Sequence, residues 1–350
     1  MGASPTEKRR ALTQRLFPAG IPRLWCPPLT HYTADGGLDR ERIAAHLATL
    51  APHVKGMLVP GSTGDGWEMD DAESRELLEL VLALAPRLGI QVLVGALRPD
   101  PADTRRIAAD TVAWLQKRTG TSDALEAIAA SRVCGVAFCP PKGEHVAQDR
   151  IRDELAATLD LGVPSALYQL PQVTQNEMAP ATVAELAATF GNVYLFKDSS
   201  GGDRVATSGL ALGGLCLLRG AECDYVQWPA ASGGPYHGFL LSTANCFAPQ
   251  LARMLACLAE GKVDQARAAS ELVSRVINSV FELVDDLPHG NKYTNANKAI
   301  DHYLAHGAAA AKLPPPSLHA GSRLPAVVME ATGALLAQFG LIPDRGYLHS

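Results

Sequence analysis

A chain of 350 residues with 47 % hydrophobic and 19 % charged residues holds enough apolar material for a large core, which excludes a disordered chain. A net charge of −5 argues against a nucleic-acid binder, which carries a basic balance or stripe. Seven cysteines, an odd number with no CxxC pair and several inside apolar runs, predict reduced, buried thiols and a cytoplasmic protein. The opening MGASPTEKRRALTQRLFPAG has basic residues but no apolar stretch of signal-peptide type. No run is long enough for a membrane span, so a soluble protein is expected.

Short apolar runs alternate with helix-length segments along the chain. The predicted strands are Arg23–Cys26, Gly56–Pro60, Gln91–Gly95, Val133–Cys139, Ser165–Gln169, Val193–Lys197, Leu215–Arg219 and Gly238–Ser242. Between them the pattern predicts helices over Asp39–Leu50, Asp71–Leu88, Asp103–Lys117, Asp149–Leu161, Pro180–Phe190, Asp203–Leu212 and Cys223–Ala231. Many open on Asp, a good N-cap. Residues 119–132 add a further turn or short helix. From Pro249 the chain reads as helical to its end, broken at KLPPPSLHAGSRLP. Strand–helix alternation predicts βαβ units and a parallel sheet. Eight such units over this length predict an α/β fold, a (β/α)8 TIM barrel with a C-terminal helical extension. The expected boundaries are an N-terminal extension over 1–19, the barrel over 20–248 and the helical extension over 249–350. An open dinucleotide-binding sheet would show GxGxxG after the first strand, where WCPPLTHY stands instead.

Chemistry in a parallel barrel gathers where strands end. The predicted second strand leads into GSTGDGWE with Gly61, Ser62 and Thr63, and the fifth ends in YQLP with Tyr168. The sixth ends on Lys197, within VYLFKDSSGG, and the eighth leads into LSTAN with Ser242 and Asn245. Lys197 has two readings: a lysine that snorkels to water, or an amine in an apolar pocket, its pKa lowered, ready to attack a carbonyl. The GSTG segment is either an ordinary tight turn or a nest of N–H groups and hydroxyls for a carboxylate. Tyr168 is either a packing aromatic or a proton carrier. Taken together, an amine, a phenol and a carboxylate-binding turn describe a 2-oxo acid held as an imine at C2. No His/Cys/Asp cluster shows metal-ligand spacing, and His302 with His306 lacks the Glu of an HExxH site. The expected metal set is none, and no cofactor is expected beyond the covalent lysine imine.

The segments GSTGD, YQLP, LFKDSSGG and GFLLSTAN, with the opening GIPRLWCPPLTHYTADGGLD and the late KLPPPSL, resemble the dihydrodipicolinate synthase / N-acetylneuraminate lyase family from Gly20 to Leu341. The resemblance implies a (β/α)8 barrel with a C-terminal helical extension and a homo-oligomer, usually a tetramer, otherwise a dimer. It implies Lys197 as the imine lysine, Tyr168 as the proton shuttle, and Ser62 and Thr63 as the carboxylate-binding pair; Gly61 and Ser242, at the same rim of strand ends, are expected beside the substrate.

Two positions depart from the synthase pattern. The tyrosine expected after the fourth strand is absent from Phe138-Cys139-Pro140-Pro141-Lys142-Gly143, and Val173 stands where an arginine would bind a second substrate's carboxylate. Lys142, Glu144 and His145 either line a different second-substrate pocket or form a solvated loop. The reading is a Schiff-base lyase of a 2-oxo acid, a pyruvate-type aldolase or a dehydratase of a 3-deoxy-2-oxo acid. Its rivals are a 4-hydroxy-tetrahydrodipicolinate synthase with a rearranged second site and a non-catalytic barrel that binds a 2-oxo acid. The expected partner is a small 2-oxo acid, with neither nucleic acid nor membrane.

Overall fold

In a computed structural model that describes residues 2–349, eight strands pair in chain order and close into a barrel. They are β1 (Leu24–Cys26), β2 (Gly56–Val59), β3 (Gln91–Gly95), β4 (Val133–Phe138), β5 (Ser165–Gln169), β6 (Val193–Asp198), β7 (Cys216–Arg219) and β8 (Gly238–Leu240). The runs VCGVAF and VYLFKD are buried at every position. That is the pattern of parallel strands covered on both faces. The (β/α)8 barrel expected from the alternation is the fold.

The first half-barrel helices follow the sequence closely. They are α2 (Arg40–Leu50), α3 (Asp71–Leu88), α4 (Pro101–Thr119), α5 (Ala124–Ala130), α6 (Gln148–Leu159), the short α7 (Pro171–Thr174) and α8 (Pro180–Thr189); α1 (Pro5–Leu16) precedes them. Asp39, Asp70, Asp100 and Asp123 accept hydrogen bonds from the first-turn amides of α2, α3, α4 and α5, which removes orphan donors. Gly89 and Gly120, both left-handed, end α3 and α4.

Two predicted helices are absent. Residues 203–212 form turns, because Asp203 sits at φ 53°. There it accepts Arg219 Nε at 2.9 Å, Arg219 Nη2 at 3.0 Å and the Tyr236 hydroxyl at 2.6 Å. A helix would have to pull this buried carboxylate away from the Arg219 guanidinium that neutralises it. Residues 223–231 hold only two 3-10 turns, since Cys223 and Asp224 both have positive φ. The C-terminal part forms α9 (Ala244–Ala259), α10 (Val263–Val284), α11 (Lys292–His306) and α12 (Ala326–Gln338). The GAAAAK run is a 3-10 segment after α11, and residues 340–349 are irregular, not helical as expected. The border expected at 248/249 falls inside α9, where Phe247 leaves helical geometry just before Pro249.

The chain divides into two compact units. The first contains the N-terminal segment to Arg23, Gln91–Ala221 and Gln227–Leu240, and so α1, α4–α8, β3–β7 and β8. The second contains Leu24–Ile90, Glu222–Val226 and the chain from Leu241, with β1, β2, α2, α3 and α9–α12. In the second unit Gly56 is obligatory, because a Cβ there would overlap the fully buried Trp25 ring. None of the helices among the described residues is long and apolar enough to cross a membrane.

In the first unit, α1 is started by Ser4 and Glu7 in a reciprocal capping box with Pro5 at the first turn. The SPTE signal was readable in the sequence. Arg9 on this helix is 1 % exposed. Its guanidinium donates to the carbonyls of Val193, Gly213, Ala187 and Phe190. Ala187 and Phe190 end α8, so a cation here meets the negative end of a helix. Truncation would leave several buried carbonyls without donors. Arg9→Ala should lower the unfolding free energy by about 2–4 kcal/mol, read from urea denaturation. An unchanged midpoint would show that this clamp adds nothing.

Candidate active site around Lys197

Parallel pairing of β5 with β6 sets Tyr168 directly beside Lys197. Both side chains are buried, at 2 % and 4 % exposure. The Lys197 amine lies 3.8 Å from the centroid of the Tyr168 ring. The structure thus removes the snorkelling alternative for this lysine, and brings together the two residues expected to carry the covalent chemistry. Cys139, just past β4, is electrostatically coupled to Lys197. Burial pushes its thiol far above the ordinary value, with the lysine opposing. A buried thiol held in its neutral form is a weak nucleophile.

Side chains alternate along a strand, so Asp198 points away from Lys197. Its carboxylate accepts the Ser200 amide at 2.9 Å and hydroxyl at 2.6 Å. The Tyr236 hydroxyl lies 3.3 Å from Asp198 and 2.6 Å from Asp203. Burial raises the pKa of Asp198 in spite of the Ser200 bonds. Arg219 neutralises Asp203 in a bidentate pair and stacks at 4.1 Å on Trp228. Sequence reading missed this network. Asp203 lies 16 residues before Arg219 and 33 before Tyr236, outside any helical period, and the expected helix over 203–212 concealed the first.

In the second unit, Gly61 precedes a 3-10 turn over Ser62–Gly64. The turn follows β2, as the nest reading requires. Ser242 lies just past β8 and is buried; its hydroxyl donates to Glu222 at 2.6 Å, as does the Thr243 amide at 3.1 Å. Glu222 also accepts from the Tyr225 hydroxyl. Glu222 was not singled out in the sequence, and nothing in its spacing marks it. Asn245 links the backbone of Pro27 and Leu29 to His46.

His31, His46 and Asp301 bring one ligand atom each within 4.8 Å of one another. No sequence spacing foretells this cluster. Its acid already receives Arg42 at 3.1 Å, His46 at 3.1 Å and the Tyr347 hydroxyl at 3.0 Å. Burial pushes Asp301 upward, but His46, His31 and Arg42 outweigh it and hold the carboxyl well below its usual range. The Arg42 guanidinium supplies a positive charge to this buried carboxylate.

Of the second-substrate candidates, Lys142, Glu144 and His145 are all exposed. Glu144 lines a cavity of about 440 Å³ with Pro171, Gln175, Asn176 and Glu177, on the loops after β4 and β5. Asn176 ties these loops together by donating to the carbonyls of Pro141 and Gly143. Val173 lies in α7. A larger cavity of about 910 Å³, lined by Lys8, Leu12, Gly162–Pro164 and Thr189–Asn192 among others, lies before β5 and β6, at the strand ends opposite Lys197.

Room for the lysine depends on Gly220, just after β7. A Cβ there would overlap Ser199 Oγ and come within 2.8 Å of Lys197 Cε. Both are ends of flexible side chains, so the fold can absorb the change while the amine is displaced. Gly220→Ala should lower imine formation about 10²-fold, the usual cost of about 1 Å of misplacement, with little change in thermal midpoint. Wild-type rates in this variant would show that the amine has slack.

The comparisons with known proteins agree with the barrel fold. A family model described as the dihydrodipicolinate synthetase family matches residues 108–294. The 4-hydroxy-tetrahydrodipicolinate synthase of Mycolicibacterium paratuberculosis is 26 % identical over 276 residues, covering 76 % of this chain and 82 % of that one. Among solved structures, YagE, a prophage protein of the dihydrodipicolinic acid synthase family from E. coli K12 in complex with pyruvate, superposes with a TM-score of 0.71. It is 20 % identical, covering 92 % of this chain and all of that one (100 %). The Sulfolobus sulfataricus 2-keto-3-deoxygluconate aldolase complex with D-KDPG gives 0.67 at 15 % identity, over 91 % and 96 % of the two chains. With more than half of its length matched by one family model and its fold shared with these barrels, the chain belongs to the dihydrodipicolinate synthetase family.

Proposed function

We propose that the protein is a Schiff-base lyase acting on a 2-oxo acid. The observation that carries this reading is the buried amine of Lys197, 3.8 Å from the Tyr168 ring centroid, at the end of a barrel strand. The amine adds to C2 of the 2-oxo acid, and the carbinolamine loses water to give an imine. Electrons from a C3–H or C3–C4 bond then flow into the imine to form an enamine. Protonation at C3, or loss of a group from C4, precedes hydrolysis, which returns the free lysine. Tyr168 moves the protons that leave and return. Ser62 and Thr63, after Gly61, hold the substrate carboxylate, and Ser242, tied to Glu222, lies beside the substrate. The imine is its own electron sink, so the cycle needs neither metal nor nucleotide. The enzyme is a carbon–carbon or carbon–oxygen lyase. The reading includes a homo-oligomer, tetramer or dimer, in the cytoplasm, where the free cysteines stay reduced.

In this reading the substrate end beyond C3 extends toward the loops after β4 and β5, where Glu144, Glu177, Gln175 and Asn176 line a cavity. Carboxylates and amides suit hydroxyl groups and repel a second carboxylate. This favours a 3-deoxy-2-oxo sugar acid over aspartate semialdehyde. The rival synthase reading draws on the name of the Mycolicibacterium relative.

Borohydride with pyruvate should fix one adduct, on Lys197, and Lys197→Ala should abolish adduct and turnover. A full adduct in that variant would sink the assignment. Tyr168→Phe should slow turnover ~10²–10⁴-fold, the usual contribution of a general acid–base; a near-normal rate would reduce Tyr168 to a packing residue.

Against a panel of 3-deoxy-2-oxo sugar acids, pyruvate plus aspartate semialdehyde should be a poor substrate pair. Without an arginine at position 173 the semialdehyde carboxylate lacks a charge-assisted bond of roughly 1.5–3 kcal/mol, one to two decades in affinity. If the semialdehyde proves best of the set, the synthase reading replaces this one.

A further inference from the structure

The Ser62–Gly64 turn receives donors from a helix more than two hundred residues later in the chain. Asn291, the N-cap of α11, donates through Nδ2 to the Ser62 carbonyl at 3.2 Å. Thr294, in the first turn of α11, donates its hydroxyl to the Thr63 carbonyl at 3.0 Å. Thr30 donates to the Gly64 carbonyl at 2.8 Å, and the Gly61 carbonyl takes the amides of Gly64 and Gly66 at 3.0 and 2.9 Å. Every carbonyl from Gly61 to Gly64 therefore accepts a hydrogen bond. The hydroxyls of Ser62 and Thr63 take no part in these bonds.

The end of the turn is held by charge. Asp65, at φ 63°, accepts the Lys298 amine at 3.1 Å and the Tyr32 hydroxyl at 3.0 Å. Lys298, on α11 one turn beyond Thr294, is fully buried and also reaches the Ser317 carbonyl at 3.3 Å. Thr294 is fully buried too. A buried lysine and a buried threonine one turn apart on a helix, holding Asp65 and Thr63 respectively, exceed what a surface loop needs.

We infer that Thr294, with Asn291 and the Lys298–Asp65 pair, positions the Ser62–Thr63 turn so that its donors face the carboxylate of a bound 2-oxo acid. The physical logic is that a carbonyl tied back to α11 fixes the peptide plane. The N–H on the far side of that plane then has one direction. An anion site made of backbone donors works only if those donors are already aligned, since realigning them on binding would cost part of the affinity. Thr294 touches no substrate atom in this scheme and acts through the turn. The inference rests on the Schiff-base reading above, because it takes the carboxylate role of the turn from it.

The test separates the carboxylate from the carbonyl. Pyruvate and hydroxyacetone offer similar ketones, but only pyruvate has a carboxylate. Borohydride trapping of the full-length protein, read by intact mass against probe concentration, gives a half-trapping concentration for each. Thr294→Val removes the donor at nearly constant volume. It should raise the pyruvate value about five- to tenfold, the worth of one buried hydrogen bond, and move the hydroxyacetone value less than twofold. Thr294→Ser keeps a donor and should restore the pyruvate value to within about twofold. Asn291→Ala, at a less buried site, should act in the same direction if Thr294→Val folds poorly. In steady state the rise in KM should exceed the fall in kcat. Equal shifts for both probes, or none, overturn this inference while leaving Lys197 as the imine lysine. A wild type that traps neither probe overturns the underlying reading and this inference with it; one that traps both equally well overturns the carboxylate role of the turn, and this inference, while leaving the imine lysine in place.

Discussion

An amine buried at the end of a strand is the constraint on which this molecule turns. A lysine at 4 % exposure has lost its hydration, and the chain must surround it with groups that tolerate either protonation state. The Tyr168 ring face at 3.8 Å is one such group, and the Cys139 thiol, kept neutral by burial, is another. Their meeting is a consequence of strand register. Tyr168 and Lys197 are paired residues on adjacent parallel strands, so a slip of one residue would send one of them to the opposite face. Gly220 completes the arrangement by having no side chain where the lysine stem passes.

The rigidity of that strand end is built on its other face. Asp198 and Asp203 share the Tyr236 hydroxyl, and Arg219 closes the group against Trp228. Two acids and one arginine in a buried space form a network that is costly to leave partly satisfied. This network, and not a crossover helix, follows β6. Where a regular (β/α) unit would place a helix, the chain instead turns back to put Asp203 under Arg219. Local helix propensity was overridden by the electrostatics of a buried carboxylate.

The second unit uses the same device at a different place. Asp301 collects Arg42, His46 and Tyr347, and Asp65 collects Lys298 and Tyr32. Both centres draw on α11, a helix whose residues 294–303 are buried at every position. Such a helix would be a poor surface element. Its polar residues Thr294, Asn295, Asn297, Lys298, Asp301 and His302 are buried and most have defined partners. The C-terminal part of the chain thus supplies the groups that hold loops of β1 and β2 in their conformations.

The sequence by itself determined the strands, because near-continuous apolar runs such as VCGVAF and VYLFKD suit a parallel sheet covered on both faces and few other folds. It determined most of the helices to α8, through Asp caps and glycine stops, and it picked out Lys197 and Tyr168 by their positions at strand ends. The capping box of α1 was also legible, and went unread. The missing helices at 203–212 and 223–231, the Glu222 acceptor for Ser242, the cluster on Asp301 and the bonds from α11 to the Ser62–Gly64 turn were decided only by tertiary structure. The hydrogen bonds behind them join residues from 16 to 259 positions apart in the chain. Periodicity and caps are local and report on i to i+4. Burial of a charge is compensated by whichever group the closed sheet brings near, and no window of sequence contains that information.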